Sequence, residues 1–109
     1  MILVSPENFF ANKPINPAEE KHFLLNDINN KKLCDQHKEL LGCLKKHKIN
    51  YKLLNARKDL PEQTFVRDTS FIIDDKIFIC KMRELVRKKE TEIVKEYFKT
   101  DKYKNYKAL

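Results

Sequence analysis

An arginine and an aspartate stand side by side at positions 67 and 68, inside the stretch TFVRDTSFIIDDKIFICKM (residues 64–82). Phe65-Val66 precedes them, and two apolar runs follow, Phe71-Ile72-Ile73 and Ile77-Phe78-Ile79, so Asp68 falls at the edge of what should be core. A carboxylate in that position is costly unless it is paired or hydrogen-bonded. A strand cap or a local pair with Arg67 is the plainer role, and a binding role is the alternative. The other chemically able residues are scattered. Cys34 and His37 are three apart and can share a helix face, but a metal site needs two further ligands at workable spacing, and the sequence offers none there. A packed thiol and a surface imidazole are the better reading, with no metal and no cofactor. Cys34, Cys43 and Cys80 are odd in number and contain no CxxC, which points to reduced thiols rather than a disulfide frame.

The composition removes whole classes. With 41% apolar and 36% charged residues the chain has the make-up of a soluble globular protein, and its 109 residues predict one domain, 1–109. A single glycine, Gly42, excludes a glycine-rich phosphate cradle. No apolar run approaches the roughly 18 to 20 residues that span a bilayer. The opening MILVSPENFF has no basic n-region and too short an apolar stretch for a secretory signal, so the cytoplasm is the expected compartment. Most of the net charge of +7 sits at the end: from residue 81 onward ten Lys or Arg meet five acids. Residues 83–107, with Tyr97, Tyr103 and Tyr106 among lysines, therefore offer an alternative function as a small basic module for RNA or an acidic partner. Against nucleic acid, lysine outnumbers arginine 19 to 4, and arginine dominates base readout.

The elements that must position Asp68 read as follows. Residues 2–5 form a short strand stopped by Pro6, and residues 6–17, with three prolines and three asparagines, form an ordered loop. Asn16-Pro17 followed by Ala18-Glu19-Glu20 has the form of a helix start, interrupted by NDINNKK at 26–32. A second helix runs from Lys32 or Leu33 to about Lys48. Residues 49–55 read as a strand and Thr64–Val66 as another. A hairpin follows at 70–80, and an amphipathic helix at Arg83 to about Lys99 presents Leu85-Val86, Ile93-Val94 and Tyr97-Phe98 on one stripe. Strands and helices alternate, so the class is α/β or α+β, a mixed sheet with helices on the outside.

In that order, LPEQTFVRDTSFIIDDKIFICKMRELVRKKE (residues 60–90) resembles the guanidino-group-modifying enzymes: arginine deiminases, dimethylarginine dimethylaminohydrolases and amidinotransferases. The shared pattern is an acid, two residues, Phe-Val, a polar residue and Asp, then an apolar hairpin and a helix opening with basic residues and Glu. The start, ILVSPENFFANKPINP, is similar to the family's first strand, its Pro-x-x-(Phe/Tyr)-Phe loop and its Ile-Asn-Pro. Residues 18–59 agree only in helix-then-strand order.

The resemblance implies a five-bladed α/β propeller of the pentein type, of which these residues would form about two ββαβ units. It implies that Asp68 binds the guanidinium of arginine or a methylated arginine, that Glu62 assists, and that Arg87 takes the ligand's carboxylate. Phe9 and Phe10 fall in the loop that closes over the site in relatives, and Phe10 is the candidate cover. A guanidinium is a planar fork of donors, and a carboxylate accepts two of them side by side. Arg67 departs from the Glu usual in dimethylarginine hydrolases and agrees with the Phe-Thr-Arg-Asp of arginine deiminases. The family's chemistry uses a cysteine nucleophile and a proton-transferring histidine, both downstream of the matched region in relatives. Relatives carry no nucleophile at the position of Cys80, and His22, His37 and His47 fall in the helical region. The expectation is a chain without catalytic residues of its own, inactive alone, with a second chain supplying Cys and His or with self-association.

Overall fold

In the computed structural model, residues 1–10, 17–18, 20–21, 28–100 and 106–108 are described, the last three by their backbone alone. They belong to two compact units, Met1–Thr64 and Phe65–Leu109.

The first unit opens with β1 (Ile2–Val4). Pro6 lacks an amide hydrogen and has a fixed φ, so the strand gives way to a single 3-10 turn, Pro6–Asn8, closed by Phe9 N–H donating to Pro6 O at 2.9 Å. Pro17, Ala18, Glu20 and Lys21 are helical, as their sequence predicts, while Asn16, expected as their cap, lies outside the described residues. Helix α1 (Asn30–Lys46) starts two residues earlier than its periodicity suggests, because Asn29 Oδ1 accepts from Lys32 N–H at 3.0 Å and caps it. Asn30 Nδ2 donates to Pro6 O and Phe9 O, at 3.1 and 3.0 Å, and so fastens the helix to the loop after β1.

The far end of α1 closes in a Schellman arrangement, with Ile49 N–H returning to Leu44 O and Lys48 N–H to Lys45 O. Lys48 occupies the left-handed position at φ 56, where glycine is usual. The chain's one glycine is instead in the middle of α1, at Gly42, where an added Cβ would have no atom within 4 Å. Strand β2 (Lys52–Leu54) then lies parallel to β1, with Ile2 opposite Lys52 and Val4 opposite Leu54. Parallel strands require a crossover, and α1 supplies it. Val4, Leu44 and Leu60 are buried in this unit.

The strand expected at Thr64–Val66 is a correction: Gln63–Asp68 is a run of 3-10 turns, interrupted at Phe65. Its backbone groups are used locally, Gln63 N–H on Leu60 O and Thr69 N–H on Val66 O. The buried Gln63 side chain anchors the approach to it, accepting from Arg57 N–H at 2.9 Å and donating to Asn55 O at 3.1 Å. Three residues of β propensity do not outweigh these bonds.

The second unit contains the hairpin, as expected: β3 (Ser70–Ile73) antiparallel to β4 (Lys76–Ile79). Ile73 opposes Lys76, leaving Asp74-Asp75 as a two-residue turn in which Asp74 takes φ 54, a conformation Asp tolerates better than most. Phe71 stacks on Phe78 across the pair at 5.0 Å between ring centroids. Ile77 and Ile79 are buried, whereas Phe71, Ile72 and Ile73 stay exposed on the outer strand. A further strand, β5 (Tyr106–Ala108), lies parallel to β4 on its other side. The sequence of this segment reads as a basic, tyrosine-containing tail, so the strand is a correction. The expected helix at 83–99 is a 3-10 turn (Leu85–Arg87) followed by α2 (Lys88–Thr100). Helix α2 packs on β4 and buries Glu90, Thr91, Val94 and Phe98. Among the described residues no helix is long and apolar enough to cross a membrane.

Candidate functional site

Asp68 is the last residue of the 3-10 run and stands two positions before β3. Thr69, fully buried between them, fixes the exit of the chain: its Oγ1 donates to Val66 O at 2.6 Å and its carbonyl accepts from Cys80 N–H at 2.9 Å. The carboxylate of Asp68 is thereby set at the root of the hairpin, and its side chain is 42% exposed.

Arg87 closes the 3-10 turn ahead of α2, and its side chain is only 10% exposed. Its Nη1 donates to Asp68 Oδ2 at 2.9 Å. Its Nε and Nη2 donate to the Glu90 carboxylate, the latter to Oε2 at 3.0 Å, and Nη2 also donates to Phe65 O at 3.0 Å. The guanidinium carbon lies 5.9 Å from the centre of the Phe65 ring. Glu90 is almost wholly buried in the first turn of α2. Burial pulls the Arg87 pKa down, but the hydrogen bonds from Glu90 and Asp68, reinforced by their charges, outweigh it and hold the group above the usual arginine value. The guanidinium is therefore a permanent cation shared by two carboxylates. Arg67 adds a looser contact, Nε to Asp68 Oδ1 at 3.7 Å, from a side chain 88% exposed.

The structure thus brings together Asp68 and Arg87, two of the four residues singled out in the sequence. Arg87, expected to grip a ligand's carboxylate, has its donors directed at Glu90, Asp68 and Phe65 O. Glu62 is half-buried in the turn before the 3-10 run, and Phe10 is exposed where the loop after β1 leaves the described residues. Both belong to the first unit. In the sequence Glu90 is only the Glu that follows the basic residues Lys88 and Lys89 at the opening of the helix. The signal that could have revealed it is the spacing Arg87-x-x-Glu90, which puts the two side chains on one helical face. No group of three or more His, Cys, Asp or Glu placed to hold a metal occurs among the described residues. The three cysteines are free, and Cys34 Sγ donates to Asn30 Oδ1 at 3.6 Å.

Comparison with known proteins gives a family and a fold. The family model described as N,N dimethylarginine dimethylhydrolase, eukaryotic, matches residues 5–109. The uncharacterized protein YkgA of Bacillus subtilis (strain 168) is 38% identical over 98 residues, which is 90% of this chain and 34% of YkgA. The chain thus spans about a third of that relative's length. Among solved structures, the C264A mutant of AgrE in complex with L-arginine superposes with a TM-score of 0.87 at 20% identity, over 99% of this chain and 15% of AgrE. The N-terminal domain of ArgZ bound to product, from an arginine dihydrolase of the ornithine-ammonia cycle in cyanobacteria, gives 0.86 at 17% identity, over 99% of this chain and 38% of that domain. At these identities the likeness concerns the fold alone, and it bears out the mixed α/β architecture of the pentein type that the sequence led us to expect.

Proposed function

The chain belongs to the N,N dimethylarginine dimethylhydrolase family, and from that premise we propose that it forms the guanidinium-binding part of a guanidino-group hydrolase, with Asp68 as the carboxylate that receives arginine or a methylated arginine. The observation that carries the reading is the state of Asp68. One oxygen is fixed from behind by a buried arginine at 2.9 Å, while the side chain remains 42% exposed at the end of a turn. A carboxylate so held is oriented before any ligand arrives, and it keeps lone pairs for a second cation. A guanidinium fits that vacancy better than an ammonium, because its planar donors match the two oxygens.

In this reading Arg87 sets the direction of Asp68. A contact between Arg87 and a ligand's own carboxylate, as the family pattern suggests, would require it to release one of its present acceptors. Glu62 as an assisting acid and Phe10 as a cover are carried by the family pattern alone, each in the first unit. The cysteine nucleophile and the histidine that the family's reaction needs are proposed to come from outside these 109 residues, and Cys34, Cys43 and Cys80 are given no catalytic role.

The test is a two-dimensional amide NMR titration of the chain with L-arginine and with N,N-dimethylarginine. The reading expects dispersed peaks with shifts centred on Asp68 and its neighbours, lost in Asp68→Asn. Equal binding by Asp68→Asn, or indifference to both ligands, would remove Asp68 from the site.

A further inference from the structure

We propose that Arg67 is a resident stand-in for the ligand: in the empty protein it covers Oδ1 of Asp68, and an incoming guanidinium displaces it. This rests on the reading of Asp68 as the guanidinium site. The two arginines that touch Asp68 do so in different ways. Arg87 binds Oδ2 at 2.9 Å from a side chain that is 10% exposed, is held in turn by Glu90, and cannot leave without stranding a buried carboxylate. Arg67 approaches Oδ1 through Nε at 3.7 Å from a side chain that is 88% exposed. That separation is beyond a good hydrogen bond, and an exposed pair of this kind is weak.

The charges make the same distinction. Asp68, Glu90 and Arg87 form a joined group of two anions and one cation, with its open end at Asp68. One positive charge is missing there, and Arg67 supplies it loosely. A ligand guanidinium that makes two short bonds to the carboxylate replaces a single long one, and the displaced Arg67 returns to water, where most of its side chain already lies. A neighbouring arginine of this type lowers the apparent affinity for cationic ligands in proportion to the strength of its own contact, and favours ligands that can offer a guanidinium fork over those with a single ammonium.

The experiment uses the 109-residue chain at low ionic strength and L-arginine as the probe, read by amide shifts and by the Nε–H resonances of the arginine side chains. Arg67→Ala is expected to bind L-arginine about two- to fivefold more tightly, the range set by an exposed ion pair. Asp68→Asn is expected to weaken binding by at least about tenfold. In the wild-type chain the Arg67 Nε–H resonance should move on titration. Arg83→Ala is the control, because Arg83 makes an equally long contact, 3.7 Å to Glu84, from a side chain 97% exposed, and its loss changes the net charge by the same amount. Tightening in Arg67→Ala but not in Arg83→Ala supports displacement. Equal tightening in both, or none in Arg67→Ala while Asp68→Asn still abolishes binding, overturns the stand-in and leaves the Asp68 site intact. If Asp68→Asn binds as well as wild type, or the wild-type chain ignores L-arginine, the site itself is wrong and the stand-in falls with it.

Discussion

Arg87 reaches back 19 positions to place its Nη1 2.9 Å from Asp68 Oδ2. One bond therefore ties the turn before the hairpin to the turn before α2, and Glu90 holds the arginine from the other side at 3.0 Å. The arrangement is structural and receptive together: the inner carboxylate is buried and satisfied, the outer one is fixed and still open.

Removal of the inner carboxylate should therefore be the most damaging single change. Glu90→Ala leaves a buried guanidinium without the carboxylate that accepts from its Nε and Nη2 and is expected to cost about 3–5 kcal/mol, whereas Glu90→Gln, which keeps an acceptor in place, costs less. Adding Arg87→Met to Glu90→Ala should recover much of the loss. Urea denaturation midpoints measure all three. A double variant no more stable than Glu90→Ala would show that the pair is not the source of the effect.

The contribution of Arg87 should not depend on pH in the working range. Its folded-state pKa is raised, so the stability it adds is fully present below the unfolded-state value and is lost only as pH climbs through the folded one. Both lie far above neutrality for an arginine. Read without stranding the buried Glu90 carboxylate, as the difference in urea midpoint between Glu90→Ala and Glu90→Ala with Arg87→Met, the contribution should be the same at about pH 6.5 and pH 9. A difference that shrinks toward pH 9 would contradict this assignment.

Helix α1 can be improved at two positions that carry no proposed function. Gly42→Ala places a methyl group in open space and removes the flexibility of a mid-helix glycine, for a gain of about 1 kcal/mol. Lys48→Gly relieves the left-handed residue of the Schellman closure, for a gain of about 1 kcal/mol. Thermal melts should show both raised, and nearly additive in combination. A fall in melting temperature for Gly42→Ala would mean that the helix surface there is covered.

Salt separates ligand binding at Asp68 from binding of nucleic acid along residues 83–107. L-Arginine affinity should fall by no more than about threefold between 50 and 200 mM salt, since a single charge pair is involved. An RNA complex with six or more phosphate contacts would lose about a thousandfold. Isothermal titrations at the two salt concentrations, with L-arginine and with a single-stranded RNA, distinguish them.

The hairpin was legible because its signals are local: Asp74-Asp75 between two apolar runs leaves few other ways to fold. The stripe of α2 was legible for the same reason, and Asp68 stood out as an acid where apolar residues surround it. What the sequence hid depends on distant partners. Thr64–Val66 has strand composition, yet it lies in a 3-10 run with a three-residue bond at each end, Gln63 N–H to Leu60 O before it and Thr69 N–H to Val66 O at its close. Glu90 looks like any acid in the first turn of a lysine-rich helix, and only the fold shows it buried against Arg87. Strand β5 has no apolar alternation to announce it, and its register against Ile77–Ile79 exists only once β4 is in place.

Strand β4 has neighbours of two kinds, and they imply an order in time. Its pairing with β3 closes across two residues, which takes microseconds for an isolated hairpin. Its pairing with β5 joins Ile79 to Ala108, and everything between, α2 included, must first be gathered up. Deuterium uptake during refolding should therefore stop first along Ser70–Ile79 and last at Tyr106–Ala108, so the C-terminal strand is the element to watch when the protein is heated, cleaved or made slowly by a ribosome.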